Sequence, residues 1–348
     1  MKKILYVSYT RLEYSLNAVY IKGLRENGIE VLCFKLPSRG IRGHLTALNF
    51  IRDNKTNSDA LIIGYDSSAL AVFLRLFYRG KMIFCAVLPI YERLVISRNL
   101  VSRWSLRGGY YWLIDFLAFH LSDLTMVESN QQICHISKYY FMPKDKLLRA
   151  WIGINEENFY YDLDIKKFDT FTVLFRGALM PEAGAEYVVQ AAKILEKDNI
   201  DFIMLSGGML LGKINELIEG LQPRNLKINS NFLSSEELRV LMQKCHLSLG
   251  QMSDHPRLER TIPHKCYESL AMKLSYLTAS NKGVLELLRD GEICITCEPA
   301  NVESLAGKIL WAKNNYPVVQ KIAENGYRFY ENELRSDILA KNLLNNIF

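Results

Sequence analysis

The chain has 348 residues, 49% of them hydrophobic and 23% charged, with a net charge of +6. That length accommodates two domains of ordinary size, and the balance is that of a water-soluble globular protein, which excludes a disordered or fibrous chain. No apolar run approaches the roughly 20 residues needed to cross a bilayer. The seven cysteines have no framework spacing, which points to a reducing compartment rather than a disulfide scaffold.

Taken in chain order, MKKILYVSYTRLEYS continues directly into a strand pattern and lacks a small-residue cleavage site, so it reads as structure and not as a signal peptide. KILYVSY, EVLCFKL, ALIIGY, KMIFCAV and LTMVES are almost continuously apolar, as expected of a parallel sheet covered on both faces. Amphipathic stretches such as LNAVYIKGLREN and SALAVFLRLFYRG separate them, with Gly28 and Gly80 as stops. This is a βαβ series. The polar stretch YYDLDIKKFD then reads as a linker near residues 160–168, after which the alternation restarts. TFTVLFRG, DFIMLSGG, LKINS, HLSLGQM, LSYLTAS and ICITCEP are its strands. The expected organisation is a first Rossmann-like domain over 1–160, a second over 168–315, and closing helices over 316–348 that pack back toward the first. Two such α/β domains with parallel sheets imply a ligand cleft between them at the carboxyl ends of the strands.

Charge divides unevenly. Residues 1–160 carry 21 Lys/Arg against 13 Asp/Glu, a net +8, whereas residues 161–348 carry 22 against 24, a net −2. Between Arg75 and Arg107 seven cations face only Glu92, amid LRLFY and RWSLRGGYYWLIDFLAF. Cations mixed with aromatics suit an anionic membrane surface. A nucleic-acid partner is not expected, because no nucleic-acid motif accompanies the charge. Trp104, Tyr110, Tyr111 and Trp112 read as core rather than as an acceptor platform.

The stretch RTIPHKCYESLAM (260–272) concentrates the chemistry. Pro263 suits a first helical turn. Tyr267, Leu270, Ala271 and Leu274 form a stripe of helical period, and Lys265 and Glu268 fall off that stripe, one turn apart. Cations near a helix N-terminus favour a diphosphate, and the carboxylate suits a ribose diol. A solvated i, i+3 ion pair explains the same residues. Cys294 and Cys297 form a lone CxxC with no second ligand pair, so they read as buried thiols and no metal site is expected. No GxGxxG, Walker or GxSxG pattern occurs.

IPHKCYESLAMKLSYLTASNKGVLELLRDGE, with VLFRGALMPEAGAEYVVQAA, IMLSGG and NFLSSEELRVLMQKCHLSLG, resembles the donor domain of the group 1 (family 4) glycosyltransferases, in a variant with an IPxKxxE helix start. LLRAWIGINEENF is similar to that family's interdomain segment. The resemblance spans roughly residues 120–315. It implies the GT-B fold, with parallel sheets facing a central cleft, and a retaining, metal-independent sugar transfer without a cofactor. The substrates implied are a nucleotide-sugar and a hydroxyl acceptor on a lipid-linked or surface-polysaccharide glycan, in the cytoplasm or on the inner face of the membrane. It further implies that Lys265, Arg260 and Glu286 act at the reacting end of the donor. Glu268, Gly177, Arg176, Arg257, Gly207 and Gly208 would bind the nucleotide-sugar. Glu92, Arg93 and His255 are the acceptor-side candidates. The chain departs from the family pattern at Ala178 and Ala183, where cations are usual, and at Arg260, where a glutamate is usual. Phosphate neutralisation then rests on Arg260 and Lys265, with Arg257 or Arg176. Two further readings are a sugar-nucleotide epimerase on the same scaffold and a non-catalytic subunit that binds nucleotide or a partner.

Overall fold

The computed structural model describes residues 2–56 and 58–348. The chain divides into two compact units, Met1–Asn155 with Glu333–Phe348, and Glu156–Asn332. The first break falls a few residues before the linker expected at 160–168. The closing helices are shared out: Tyr316–Phe329 lies in the second unit and Ser336–Ile347 in the first.

In the first unit six parallel strands are β1 (Lys3–Ser8), β2 (Glu30–Lys35), β3 (Ala60–Ile63), β4 (Lys81–Cys85), β5 (Leu124–Val127) and β6 (Leu147–Arg149). Their order is β2-β1-β3-β4-β5-β6, each neighbour pair parallel. Leu5, Val7, Leu61, Ile63, Met82 and Phe84 leave almost no surface, consistent with a sheet buried on both faces. The helix Ser336–Ile347 crosses the helix Ser15–Glu26 at Gly23, where a Cβ would fall 1.9 Å from the Ser336 carbonyl oxygen. Asn27 and Lys81 donate to backbone carbonyls at the two ends of that closing helix.

In the second unit the strands are β7 (Phe171–Ala178), β8 (Ile200–Gly207), β9 (Leu226–Asn229), β10 (Leu247–Leu249), β11 (Ser275–Ala279) and β12 (Ile295–Cys297). They run parallel in the order β12-β11-β10-β7-β8-β9. This order reverses direction between β10 and β7, so the open carboxyl ends of β7, β8 and β10 define the place where a doubly wound sheet takes a ligand. Among the described residues no helix is long and apolar enough to cross a membrane.

One expectation in the first unit is corrected. Trp104 and Tyr110 are not core: they are 85% and 54% exposed. Apolar residues surround the helix Leu106–Leu121 on every side, so its periodicity does not say which face is buried. Trp112 alone of the four stacks inward, on Phe116 and Tyr140.

Candidate functional site

β7 ends in Arg176, Gly177 and Ala178. Gly177 has φ +112°, and a Cβ there would lie 3.0 Å from Cε and 3.4 Å from Nζ of Lys265. Glycine at this point therefore does two things: it makes the turn, and it lets an ammonium approach the backbone. The adjoining loop is locked to it, since Leu179 N–H donates to the Gly207 carbonyl at 2.9 Å. Gly208 has φ +139°, and a Cβ there would press on the backbone of Leu179.

Lys265 belongs to the helix His264–Ala271, which begins at Pro263. Its ammonium lies 4.5 Å from the centre of the Phe175 ring. Burial, then the neighbouring Arg176 guanidinium, lower its pKa to about 7, with Glu268 and Glu182 opposing. A cation held this far below its ordinary range is stabilised when an anion arrives.

Glu268 does not lie on a solvated helix face, the alternative that the sequence left open. It is only 5% exposed and bonds Arg176 through one oxygen and His264 Nδ1 at 3.2 Å through the other. Burial alone would raise its pKa, but Arg176 and then His264 outweigh that and hold it at about 2. The helix has eight residues, and the six after Lys265 are all buried, so Glu268 faces β7 instead of water. Arg176 is itself 8% exposed, and its Nε has no hydrogen-bond partner among the described residues.

The remaining candidates surround this group. Arg257, in the short turn Pro256–Glu259, bonds Glu182 at 2.6 Å, so its charge is already answered. Arg260 closes that turn and donates to the Pro256 carbonyl at 3.2 Å. His255 caps the turn, accepting from Arg257 N–H at 3.2 Å, and burial lowers its pKa. Glu286 follows the helix Lys282–Leu285, whose Gly283 packs so tightly that a Cβ would fall 2.5 Å from the Thr261 carbonyl. Arg257, Arg260, Lys265 and Glu286 thus sit on segments that touch one another.

A cavity of about 370 Å³ opens beside the glycines, lined by Arg176, Gly177, Ser206, Gly207, Asn231 and Phe232. Sequence reasoning assigned no role to Phe232, which is 98% exposed in the loop after β9. A lone aromatic in NSNFLSSEE, between polar residues, was the signal available. His264 and Glu182, which fix Glu268 and Arg257, were also missed as site residues.

In the first unit Glu92 and Arg93 open the π-helical segment Glu92–Ser97. Glu92 is 4% exposed. Arg93 bonds Asp66 at 2.8 Å, and Arg39 pairs with the same carboxylate. Asp66 follows β3 with φ +61°, near Tyr9 and His44, which hydrogen-bond to each other. Among the described residues no group of three His, Cys, Asp or Glu side chains could hold a metal ion.

The family model for glycosyl transferases group 1 matches residues 164–329. No curated protein matches the sequence. Among solved structures, HepE from Anabaena in complex with UDP covers 100% of this chain and 99% of its own, at 14% identity and a TM-score of 0.75. Sucrose-phosphate synthase from Thermosynechococcus elongatus covers 99% and 98%, at 11% identity and 0.75. A glycosyltransferase from Rickettsia africae covers 99% and 97%, at 15% identity and 0.69. At these identities the likeness establishes the fold, and the matched motifs establish the domain. Residues 164–329 therefore form a group 1 glycosyl transferase domain, within a chain of GT-B fold.

Proposed function

We propose that this glycosyltransferase moves a sugar from a nucleotide-sugar to a hydroxyl of a glycan or lipid-linked acceptor, with retention at the anomeric carbon and without a metal. The observation that carries the reading is the convergence of Gly177, Lys265, Arg176 and Glu268 beside an open cavity. The donor diphosphate lies over the Gly177 backbone, against the Lys265 ammonium. Leaving-group charge grows on its distal phosphate, and a preorganised cation stabilises that charge more in the transition state than in the ground state. Arg176 supplies a second cation from the residue before the glycine, where the family has one after it. Arg260 and Glu286 complete the sugar end.

Glu268 has about four lone-pair sites, two of them in use, so ribose hydroxyls can still donate to it. Phe232 stacks on the base. UDP is the first nucleotide to try, since HepE was crystallised with UDP and with UDP-glucose. Trp104 and Leu106, 85% and 96% exposed, stand beside Arg103 and Arg107, a composition suited to an anionic lipid surface that carries the acceptor. Asp66, Arg93 and Glu92 are the acceptor-side groups of the first unit.

A panel of nucleotide-sugars, assayed for donor hydrolysis and for transfer with and without chelator, tests this reading. NMR of the product's anomeric proton reports its stereochemistry. Turnover of one donor, unaffected by chelator and with retained configuration, is the expected result. Binding without turnover would favour a non-catalytic subunit, the reading to which Ala178 and Ala183 point.

A further inference from the structure

The second sheet has another charged opening at its opposite edge, where the strands begin. A cavity of about 440 Å³ is lined there by Tyr161, Lys167, Gln243, Lys273, Tyr316 and Lys321, among others. It shares no residue with the cavity beside Gly177. Ser275, the first residue of β11, forms part of its wall. β7 is eight residues long, so the two openings are separated by about 26 Å of strand.

Three observations point to an anion. First, three lysines line the cavity against one acid, Glu324, whose carboxylate is already engaged by Lys273 and by Arg328 at 3.4 Å. Second, Lys167 forms no ion pair among the described residues. Its ammonium has three donors, and the Cys245 carbonyl, at 2.7 Å, is the acceptor seen. Burial lowers its pKa to about 8, which shows what holding that charge without a counterion costs. Third, Lys273 has φ +52° and closes the helix His264–Ala271 one residue beyond its C-cap Met272, donating its N–H to the Leu270 carbonyl at 3.0 Å. Glycine takes this left-handed position freely and a lysine does so only against steric strain. The strained backbone sets the Lys273 ammonium 5.2 Å from the centre of the Tyr161 ring, at the cavity.

We propose that this cavity binds a small soluble phosphomonoester, its phosphate among Lys167, Lys273 and Lys321 and its carbon skeleton against Tyr161 and Tyr316. The inference is independent of the donor reading, because it uses none of the same residues. Lys167 also provides the test. At pH 8 its amine is substantially deprotonated and open to trace acylation by acetic anhydride, which mass spectrometry of the full-length protein quantifies. Glucose 6-phosphate and inorganic phosphate serve as probes, with sodium chloride at matched ionic strength as the control. Phosphate and glucose 6-phosphate at about 10 mM are expected to slow Lys167 acylation about five-fold or more, chloride leaving it unchanged. Lys321→Gln should raise the probe concentration needed for that protection about ten-fold, without altering Tm or nucleotide binding. Lys273→Gly should weaken it too while melting no lower than the wild type, since glycine relieves the strain. Equal acylation with and without both probes, or equal protection by chloride, would overturn the proposal. So would undiminished protection in both variants.

Discussion

Replacing Lys265 by methionine separates what this residue does for stability from what it does for chemistry. The folded protein lowers its pKa from 10.5 to about 7, chiefly by burial. At 1.36 kcal/mol per pKa unit, holding the charge costs at most about 5 kcal/mol. Relaxation and water penetration reduce this, and exchanging buried charge for apolar volume typically gains about 1–4 kcal/mol. Methionine keeps the length and sets its sulfur near the Phe175 ring, a favourable contact.

The sign of the pH dependence follows from proton counts. Below pH 7 folded and unfolded chains both hold the proton, and the full cost is present. Between about 7 and 10.5 the unfolded chain binds a proton that the folded one does not, so wild-type stability rises with pH. Thermal and urea melts of both full-length proteins at pH 6 and pH 9 should show Lys265→Met more stable by about 1–3 kcal/mol at pH 6, with the gap narrowing at pH 9. Transfer should fall about 100-fold or more in the same variant. A variant that melts below the wild type at pH 6, or a gap that does not change with pH, would refute the reasoning.

Three further outcomes test the neighbouring groups. Glu268→Gln leaves the buried Arg176 without its counter-charge and should destabilise by about 2–4 kcal/mol at pH 7. Because the folded pKa of Glu268 is about 2 against an ordinary 4.5, wild-type stability should decline as pH falls from 4.5 toward 2, and the variant should lack that component in acid melts. Phe232→Ala, at a fully exposed position, should weaken nucleotide binding about ten-fold with no change in Tm, measured by calorimetry. Leu106→Glu should reduce sedimentation with anionic vesicles while leaving transfer to a soluble acceptor unchanged.

Much of the fold was legible because parallel strands covered on both faces announce themselves as short apolar runs. KILYVSY and TFTVLFRG correspond to β1 and β7. β6, Leu147–Arg149, was not legible as a strand: it lies within LLRAWIGINEENF, which reads as an interdomain segment. The site was legible where a local pattern carries it, as in the proline start and the placement of Lys265 one turn before Glu268. It was illegible where partners are distant in sequence. Arg176 and Glu268 lie 92 residues apart, and nothing local in either segment announces that they pair. The same holds for Arg257 with Glu182, and for Asp66 with Arg39 and Arg93. Trp104 was misassigned because it lies before the helix Leu106–Leu121, outside any periodic stretch, and exposure there is settled by packing, not by period.

The central claim is that Lys265 meets the diphosphate, and proton-linked calorimetry addresses it most directly. The titrant is the tightest-binding nucleoside diphosphate from a panel of UDP, GDP and ADP, in buffers of different ionisation enthalpy. Free Lys265, with a pKa of about 7, is mostly neutral at pH 8, and a neighbouring diphosphate restores its charge. Binding should therefore take up close to one proton at pH 8 and almost none at pH 6, and the pH 8 uptake should vanish in Lys265→Met. Nucleotide binding with the same proton uptake in wild type and variant would contradict the account.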